Sequence, residues 1–270
     1  MSRGASIFGV PKALVGMVHV GALPGAPRDG EPVASISKRA AAEAAMLAKA
    51  GFDALILENM HDAPYLRRRV GPEIVAAMTA IAGAVRRAVN IPLGIQILAG
   101  ANREALAVAH ATGCRFIRAE GFVFASVADE GLLEEADAGP LLRYRKAIGA
   151  ESVRVIADIK KKHSAHAITA DVDIAETARA AEFFGADGIV VSGAATGRPT
   201  SLDDLHEARS ATKLPVAVGS GATPETLREL FEEADAVIAG SWFKKRGDWR
   251  NAPDPARVKA LVAAARRARK

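Results

Sequence analysis

Short apolar runs alternate with long Ala-rich stretches from one end of the chain to the other. The runs occupy residues 14–20, 54–58, 93–98, 116–120, 153–160, 188–192, 216–219 and 236–239. Between consecutive runs lies room for a helix, at 35–50, 72–88, 102–112, 139–148, 173–184, 201–211 and 224–232, and residues 255–269 close the chain with another. Strict alternation of this kind predicts parallel strands joined by helical crossovers.

A weak internal repeat sharpens the count. Even-numbered runs follow a Gly-x-Asp type of helix exit: Gly51-Phe52-Asp53, Gly113-Cys114-Arg115, Gly185-Ala186-Asp187 and a degenerate Glu233-Ala234-Asp235. The third and seventh runs follow Ile91-Pro92 and Leu214-Pro215. Glycine ends a helix by taking the left-handed conformation, and proline prevents its resumption. Repeated two-strand units, eight strands in all, predict one (β/α)8 TIM barrel domain over residues 1–270. A doubly wound open sheet is the rival, but it gives no reason for eight units.

The last two runs end alike, in Gly219-Ser220-Gly221 and Gly240-Ser241. Glycine has no Cβ to keep a ligand from the backbone N–H groups. Such turns, next to a helix start at residue 224, can hold a phosphate through N–H donors and the helix dipole. In a β/α barrel the loops after strands 7 and 8 are the usual phosphate site. Gly193 opens a further polar loop, 193–200, which could fold over the ligand with Arg198 reaching an anion; a plain connector is the alternative reading.

Catalytic groups of such barrels sit at the C-terminal strand ends. Those ends carry His19, Glu58 with Asn59, His61 and Asp62, Gln96, Glu120, Asp158 with Lys160, and Ser192. Ionisable residues in a barrel mouth cost desolvation unless they are paired or bound to something. Asp158 and Lys160 share one face of a strand, and Lys161-Lys162-His163-Ser164-Ala165-His166 follows. One reading has Asp158 orienting a group or accepting a proton, with Lys162 or His163 as acid/base or phosphate ligand. The other is a solvated basic loop with a structural Asp158–Lys160 ion pair. Glu58, Glu120 and Asp158 could converge on a divalent cation such as Mg²⁺, which prefers oxygen ligands; ion pairing with Arg118 and Lys160 is the competing use. Connections 21–32 and 121–139 are long enough to be lids or binding loops.

Composition narrows the function. A length of 270 residues suits one such barrel, and half the residues are hydrophobic. Aromatic residues make up only 5%, which argues against a stacking surface for single-stranded nucleic acid. The net charge of +5 includes four cations at the extreme C-terminus, Arg266, Arg267, Arg269 and Lys270, which read as a solvated helix end suited to the dipole. No apolar run reaches membrane-spanning length, and the N-terminus lacks the apolar stretch of a secretory signal. The single cysteine, Cys114, suits a reducing cytoplasm.

Several of these segments together resemble the BtpA (BtpA/SgcQ) family. The resemblance rests on Met17-Val18-His19-Val20-Gly21-Ala22-Leu23-Pro24-Gly25-Ala26-Pro27 and on Glu58-Asn59-Met60-His61-Asp62-Ala63-Pro64-Tyr65. It continues through Ala128-Asp129-Glu130-Gly131, Asp158 to His163, Ser192 to Gly197, and Gly219-Ser220-Gly221, spanning nearly the whole chain. The resemblance implies a ribulose-phosphate-binding type of barrel, in a family whose members are described as predicted enzymes and whose founding member is linked to photosystem I biogenesis. Glu120 departs from the family pattern, which tends to Asn there.

Together these readings predict a cytoplasmic enzyme acting on a phosphorylated small molecule, a sugar phosphate or a phosphoribosyl compound. Gly193, Gly219, Ser220, Gly221, Gly240 and Ser241 would hold the phosphate. Glu58, Asp158, Lys162, His163, His19 and Glu120 supply the candidates for proton transfer in an isomerase or lyase reaction. The alternatives are a non-catalytic assembly factor for photosystem I and a phosphometabolite sensor. The expected partners are the substrate and, where the barrel self-associates, copies of itself, with neither nucleic acid nor an integral membrane segment.

Overall fold

The computed structural model describes residues 4–193 and 200–269. In chain order its strands are β1 (Ala13–His19), β2 (Ala54–Glu58), β3 (Leu93–Gln96), β4 (Phe116–Ala119), β5 (Ser126–Ala128), β6 (Gly131–Leu133), β7 (Arg154–Ile159), β8 (Ser164–Ala165), β9 (Gly188–Val191), β10 (Val216–Val218) and β11 (Ala236–Ala239). The helices are α1 (Ala5–Phe8), α2 (Val33–Ala50), α3 (Pro72–Ala88), α4 (Asn102–Thr112), α5 (Ala138–Ala147), α6 (Ile174–Phe183), α7 (Leu202–Ala211), α8 (Leu227–Glu233) and α9 (Pro255–Ala268). Eight strands close into a parallel barrel in the order β1-β11-β10-β9-β7-β4-β3-β2. The rival open sheet is thereby excluded.

Two apolar layers hold this shape. Outside the barrel, residues such as Leu14, Leu55, Leu93, Val155 and Val237 pack against the helices. Inside, Ala13, Val15, Ala54, Phe116, Ile156, Val190, Ala217 and Ala236 fill the lower barrel, and α1 closes its floor with Ile7 and Phe8. The rings of Phe8 and Phe116 meet edge to face at 5.4 Å between centroids. Gly94 makes room for Phe116, since a Cβ there would lie 2.2 Å from the ring.

The Gly-x-Asp repeat has a structural cause. Gly51 ends α2 at φ +112°, accepting the left-handed conformation in which its N–H caps the last turn. The aspartate two residues on fastens the preceding strand: Asp53 accepts from Leu14 N at 2.8 Å, Asp187 from Val155 N at 2.9 Å and Asp235 from Val216 N at 3.1 Å. Each also meets an arginine, namely Arg269, Arg145 and Arg209. Arg269 is therefore drawn back onto the barrel rather than left solvated at the helix end. Arg266 and Arg267 are exposed as expected.

Two features differ from the expected connections. Helix α8 starts at Leu227, so a turn at 223–226 separates it from Ser220 and Gly221. Thr226 Oγ1 occupies that turn, accepting from Thr223 N at 3.0 Å. The connection after β4 also carries β5 and β6, which join β8 in a three-stranded antiparallel sheet. Among the described residues, no helix is long and apolar enough to cross a membrane.

Candidate active site at the barrel mouth

Alternation along the strands aims one side chain in two at the barrel axis. On β1 and β2 the inward series Val15-Met17-His19 and Ala54-Ile56-Glu58 are apolar below and polar at the top. The same rule sets Arg118 above Phe116 and Asp158 above Ile156. Polar groups thus collect at the C-terminal end, over an apolar floor that fixes their height.

A cavity of about 130 Å³ opens there. Its wall includes His19, Glu58, Arg118 and Lys162 together with Gly219 to Thr223, Gly240, Ser241 and Trp242. The two Gly-Ser turns and the ionisable strand ends therefore share one rim. Among the described residues, the amides of Gly221, Gly240 and Ser241 donate to no backbone carbonyl. Two expected donors are already used: Gly219 N–H donates to Val191 O at 2.8 Å, and Gly193 N–H to Ser220 Oγ at 3.2 Å. Because α8 begins three residues past Pro224, its dipole does not sit directly beneath the Gly-Ser turn. Arg198 lies outside the described residues.

His19 and Glu58 stand at matched register on neighbouring strands. His19 Nε2 lies 3.5 Å from Glu58 Oε2, and Nδ1 lies 3.2 Å from the carbonyl of Trp249. A carbonyl only accepts, so Nδ1 carries the hydrogen and Nε2 turns its lone pair towards Glu58. Burial, helped by the charge of Lys244, pushes His19 down to about 3, so its ring is neutral. Burial also pushes the Glu58 carboxyl up, against the pull of Arg118 and Lys162. Gly240 gives the ring its space, because a Cβ there would touch Cε1 and Nε2 at 3.4 Å.

Arg118 is the residue that strand-end reasoning left without a functional role. It forms a bidentate pair with Asp158, Nε to Oδ2 and Nη2 to Oδ1 each at 2.9 Å, with both side chains buried. The Asp158–Lys160 pair of the alternative reading does not form. Lys160 takes φ +46° and donates from Nζ to Thr169 O at 3.1 Å. Asp158 is thus a positioning residue for Arg118. Spacing alone offered the signal, since Arg118 sits midway between Phe116 and Glu120 on one strand face.

Lys162 makes no hydrogen bond from Nζ to a described residue, and its amine lines the cavity. Burial lowers its affinity for a proton, and the nearby Arg118 charge adds to the effect. Its backbone N–H donates to Ser192 Oγ at 3.2 Å. Glu120 accepts from Lys161 Nζ at 3.2 Å and from Gln96 Nε2 at 3.2 Å. His163 sits at the outer rim at φ +57°, with Nδ1 3.8 Å from Asp129. Asn59 and Asp62 brace loops, receiving or giving hydrogen bonds to Leu98, Leu23 and each other.

The suggested convergence of Glu58, Glu120 and Asp158 on Mg²⁺ does not occur. Among the described residues, no group of three or more His, Cys, Asp or Glu side chains is placed to hold a metal ion. Arg118 closes Asp158, and Lys161 closes Glu120, so those two carboxylates already have their cations.

Comparison with known proteins agrees with this architecture. The model of the BtpA family matches residues 10–267. An uncharacterized mitochondrial protein of Caenorhabditis elegans is 47% identical over 92% of this chain and 90% of its own length. The photosystem I biogenesis protein BtpA of Synechocystis is 38% identical over 95% of this chain and 89% of its own. Among solved structures, (S)-3-O-geranylgeranylglyceryl phosphate synthase from Thermoplasma acidophilum, in complex with its substrate sn-glycerol-1-phosphate, superposes with a TM-score of 0.62. It is 15% identical and covers 97% of this chain and 96% of its own, a likeness of fold.

Proposed function

The chain belongs to the BtpA family, and on that premise we propose that it is an enzyme moving protons on a phosphorylated small molecule. One observation carries the reading: backbone amides that donate to no carbonyl among the described residues line a single cavity at the barrel mouth together with four ionisable side chains. The structural neighbour that binds sn-glycerol-1-phosphate on the same fold agrees with it. Gly221, Gly240 and Ser241 hold the phosphate, with Gly219 and Ser220 shaping the turn and Lys162 adding positive charge.

Glu58 is the proton-transfer group. Its raised proton affinity suits a carboxyl that takes a proton from carbon beside a carbonyl and returns it. Neutral His19 faces it with an unprotonated Nε2 and steadies the carboxyl when it is protonated. Arg118 and Lys162 stabilise the enediolate oxygen that develops as the proton leaves. Isomerisation, epimerisation and retro-aldol cleavage share this step. Asp158 holds Arg118 in place, while Glu120 and His163 act from the outer mouth. Burial of the free Cys114 thiol is in keeping with a reducing compartment.

The test begins with thermal-shift screening against inorganic phosphate, sugar phosphates and phosphoribosyl compounds, followed by turnover assays of those that stabilise. Stabilisation with turnover that Glu58→Gln abolishes supports the enzyme. Stabilisation without turnover leaves a sensor. The name of the Synechocystis relative favours a second reading, an assembly role in photosystem I biogenesis, and a protein that answers to none of the phosphates would point there.

A further inference from the structure

A second cavity, about 260 Å³, adjoins the first across a wall of Glu58, Met60, Arg118 and Lys162, which line both. Its far side is built from Tyr65, Gln96, Glu120, Glu130, Lys161 and His163. Two buried side-chain atoms there have no hydrogen-bond partner among the described residues, Gln96 Oε1 and Glu130 Oε2. Gln96 is only 2% exposed, and its Nε2 donates to Glu120, so turning the amide over would set its oxygen against a carboxylate. The nearest cation to Glu130 Oε2, Lys161 Nζ, lies 3.7 Å away, too far for a hydrogen bond. A buried acceptor without a donor is costly, and natural proteins seldom keep one without a use.

We infer that this second cavity receives the hydroxyl-bearing end of the substrate, which makes the ligand a phosphorylated polyol or open-chain sugar. This rests on the phosphate reading above and adds where the rest of the molecule goes. Gln96 Oε1 and Glu130 Oε2 take hydrogen bonds from two hydroxyl groups. Lys161 Nζ and the Arg118 guanidinium donate to hydroxyl oxygens from the same walls. A wall that mixes acceptors with donors matches a chain of hydroxyl groups, each of which does both, better than an ammonium group, which only donates. The phosphate then lies at the Gly-Ser turns, and the carbons between the two ends pass Glu58. Glu130 comes from the turn joining β5 and β6, so the small sheet forms the outer wall of this subsite.

The measurement is binding of three probes to the full chain by calorimetry: inorganic phosphate, D-ribitol 5-phosphate, and n-pentyl phosphate, which has the same carbon count without hydroxyls. Ribitol 5-phosphate is expected to bind at least about tenfold more tightly than pentyl phosphate, the scale of one charge-assisted hydrogen bond or more. Gln96→Leu and, separately, the milder Glu130→Gln should shrink that preference while leaving inorganic phosphate affinity unchanged. Equal binding of the two five-carbon phosphates overturns the inference and leaves the phosphate site standing. A preference that survives both substitutions also overturns it. Failure of inorganic phosphate and both esters to bind removes the phosphate site, and this inference with it.

Discussion

His19 and Glu58 lie side by side on adjacent barrel strands, with Nε2 3.5 Å from Oε2 and the imidazole fixed from behind by the Trp249 carbonyl. Burial disfavours charge on both, so it lowers proton affinity on the ring and raises it on the carboxyl. Burial thus favours the uncharged form of each partner.

This arrangement predicts a pH dependence of stability. Folded His19 titrates at about 3 against its usual 6.5, so the unfolded chain binds more protons between those values. Stability from this residue is fully present above 6.5 and is lost as the pH falls towards 3. Glu58 works oppositely, since its raised affinity favours the folded state below the usual 4.5 and that advantage fades as the pH climbs through its folded value. Urea unfolding of wild type and His19→Asn at descending pH isolates the first effect. The wild type should lose stability relative to the variant as the pH drops below 6.5, and parallel curves would contradict a neutral buried ring.

The Arg118–Asp158 pair predicts a different kind of loss. Asp158→Asn leaves a buried guanidinium without its counter-charge, which costs about 3–5 kcal/mol for a buried pair broken on one side. Replacing both, as Arg118→Met with Asp158→Leu, should restore much of that stability, because no unpaired charge remains. The double variant should still lose turnover, as Arg118 lines the cavity. Chemical denaturation of the single and double variants checks the first part, and an unchanged Asp158→Asn would show that the pair is not tightly desolvated.

The barrel was readable because each level of the sequence agreed. The apolar runs count to eight, the glycine helix ends and the recurring aspartate mark alternate units, and the structure explains the aspartate as a clasp on the preceding barrel strand. His19, Glu58 and the Gly-Ser turns were readable because strand ends and glycines are local signals. Arg118 was not, since its partner is 40 residues away and only strand pairing in the folded sheet brings β4 beside β7. The sheet of β5, β6 and β8 escaped because strands of two or three residues show too little alternation to be recognised. Gly193 and Gly219 carried the right residue type, but which amide stays unpaired depends on ladder register, which composition does not encode.

Gly219 predicts how the Gly-Ser turn and the charged wall depend on one another. A Cβ there would lie 2.7 Å from Val190 Cγ1 and 3.0 Å from Arg118 Nη2, so Gly219→Ala must displace one of them. Overpacking of this sort costs about 1–3 kcal/mol. Inorganic phosphate affinity should fall together with stability, because the turn moves with the guanidinium. Calorimetric titration of the variant checks this, and unchanged affinity would mean that the turn is not the anion site.

Lys162 predicts that phosphate binding takes up protons in alkaline solution. Its amine is buried beside Arg118, both of which lower its proton affinity below the usual 10.5. A phosphate bound within the same cavity adds negative charge and raises that affinity again. Above the lowered value the unliganded protein holds a neutral amine, so binding draws a proton from the buffer. The heat of phosphate binding should then vary with the ionisation enthalpy of the buffer, in the direction of uptake, and the variation should vanish in Lys162→Met. Phosphate affinity in that variant should drop by about tenfold or more, the scale of one charge-assisted hydrogen bond. Heats that do not depend on the buffer in alkaline wild-type titrations would place the anion beyond the reach of Lys162.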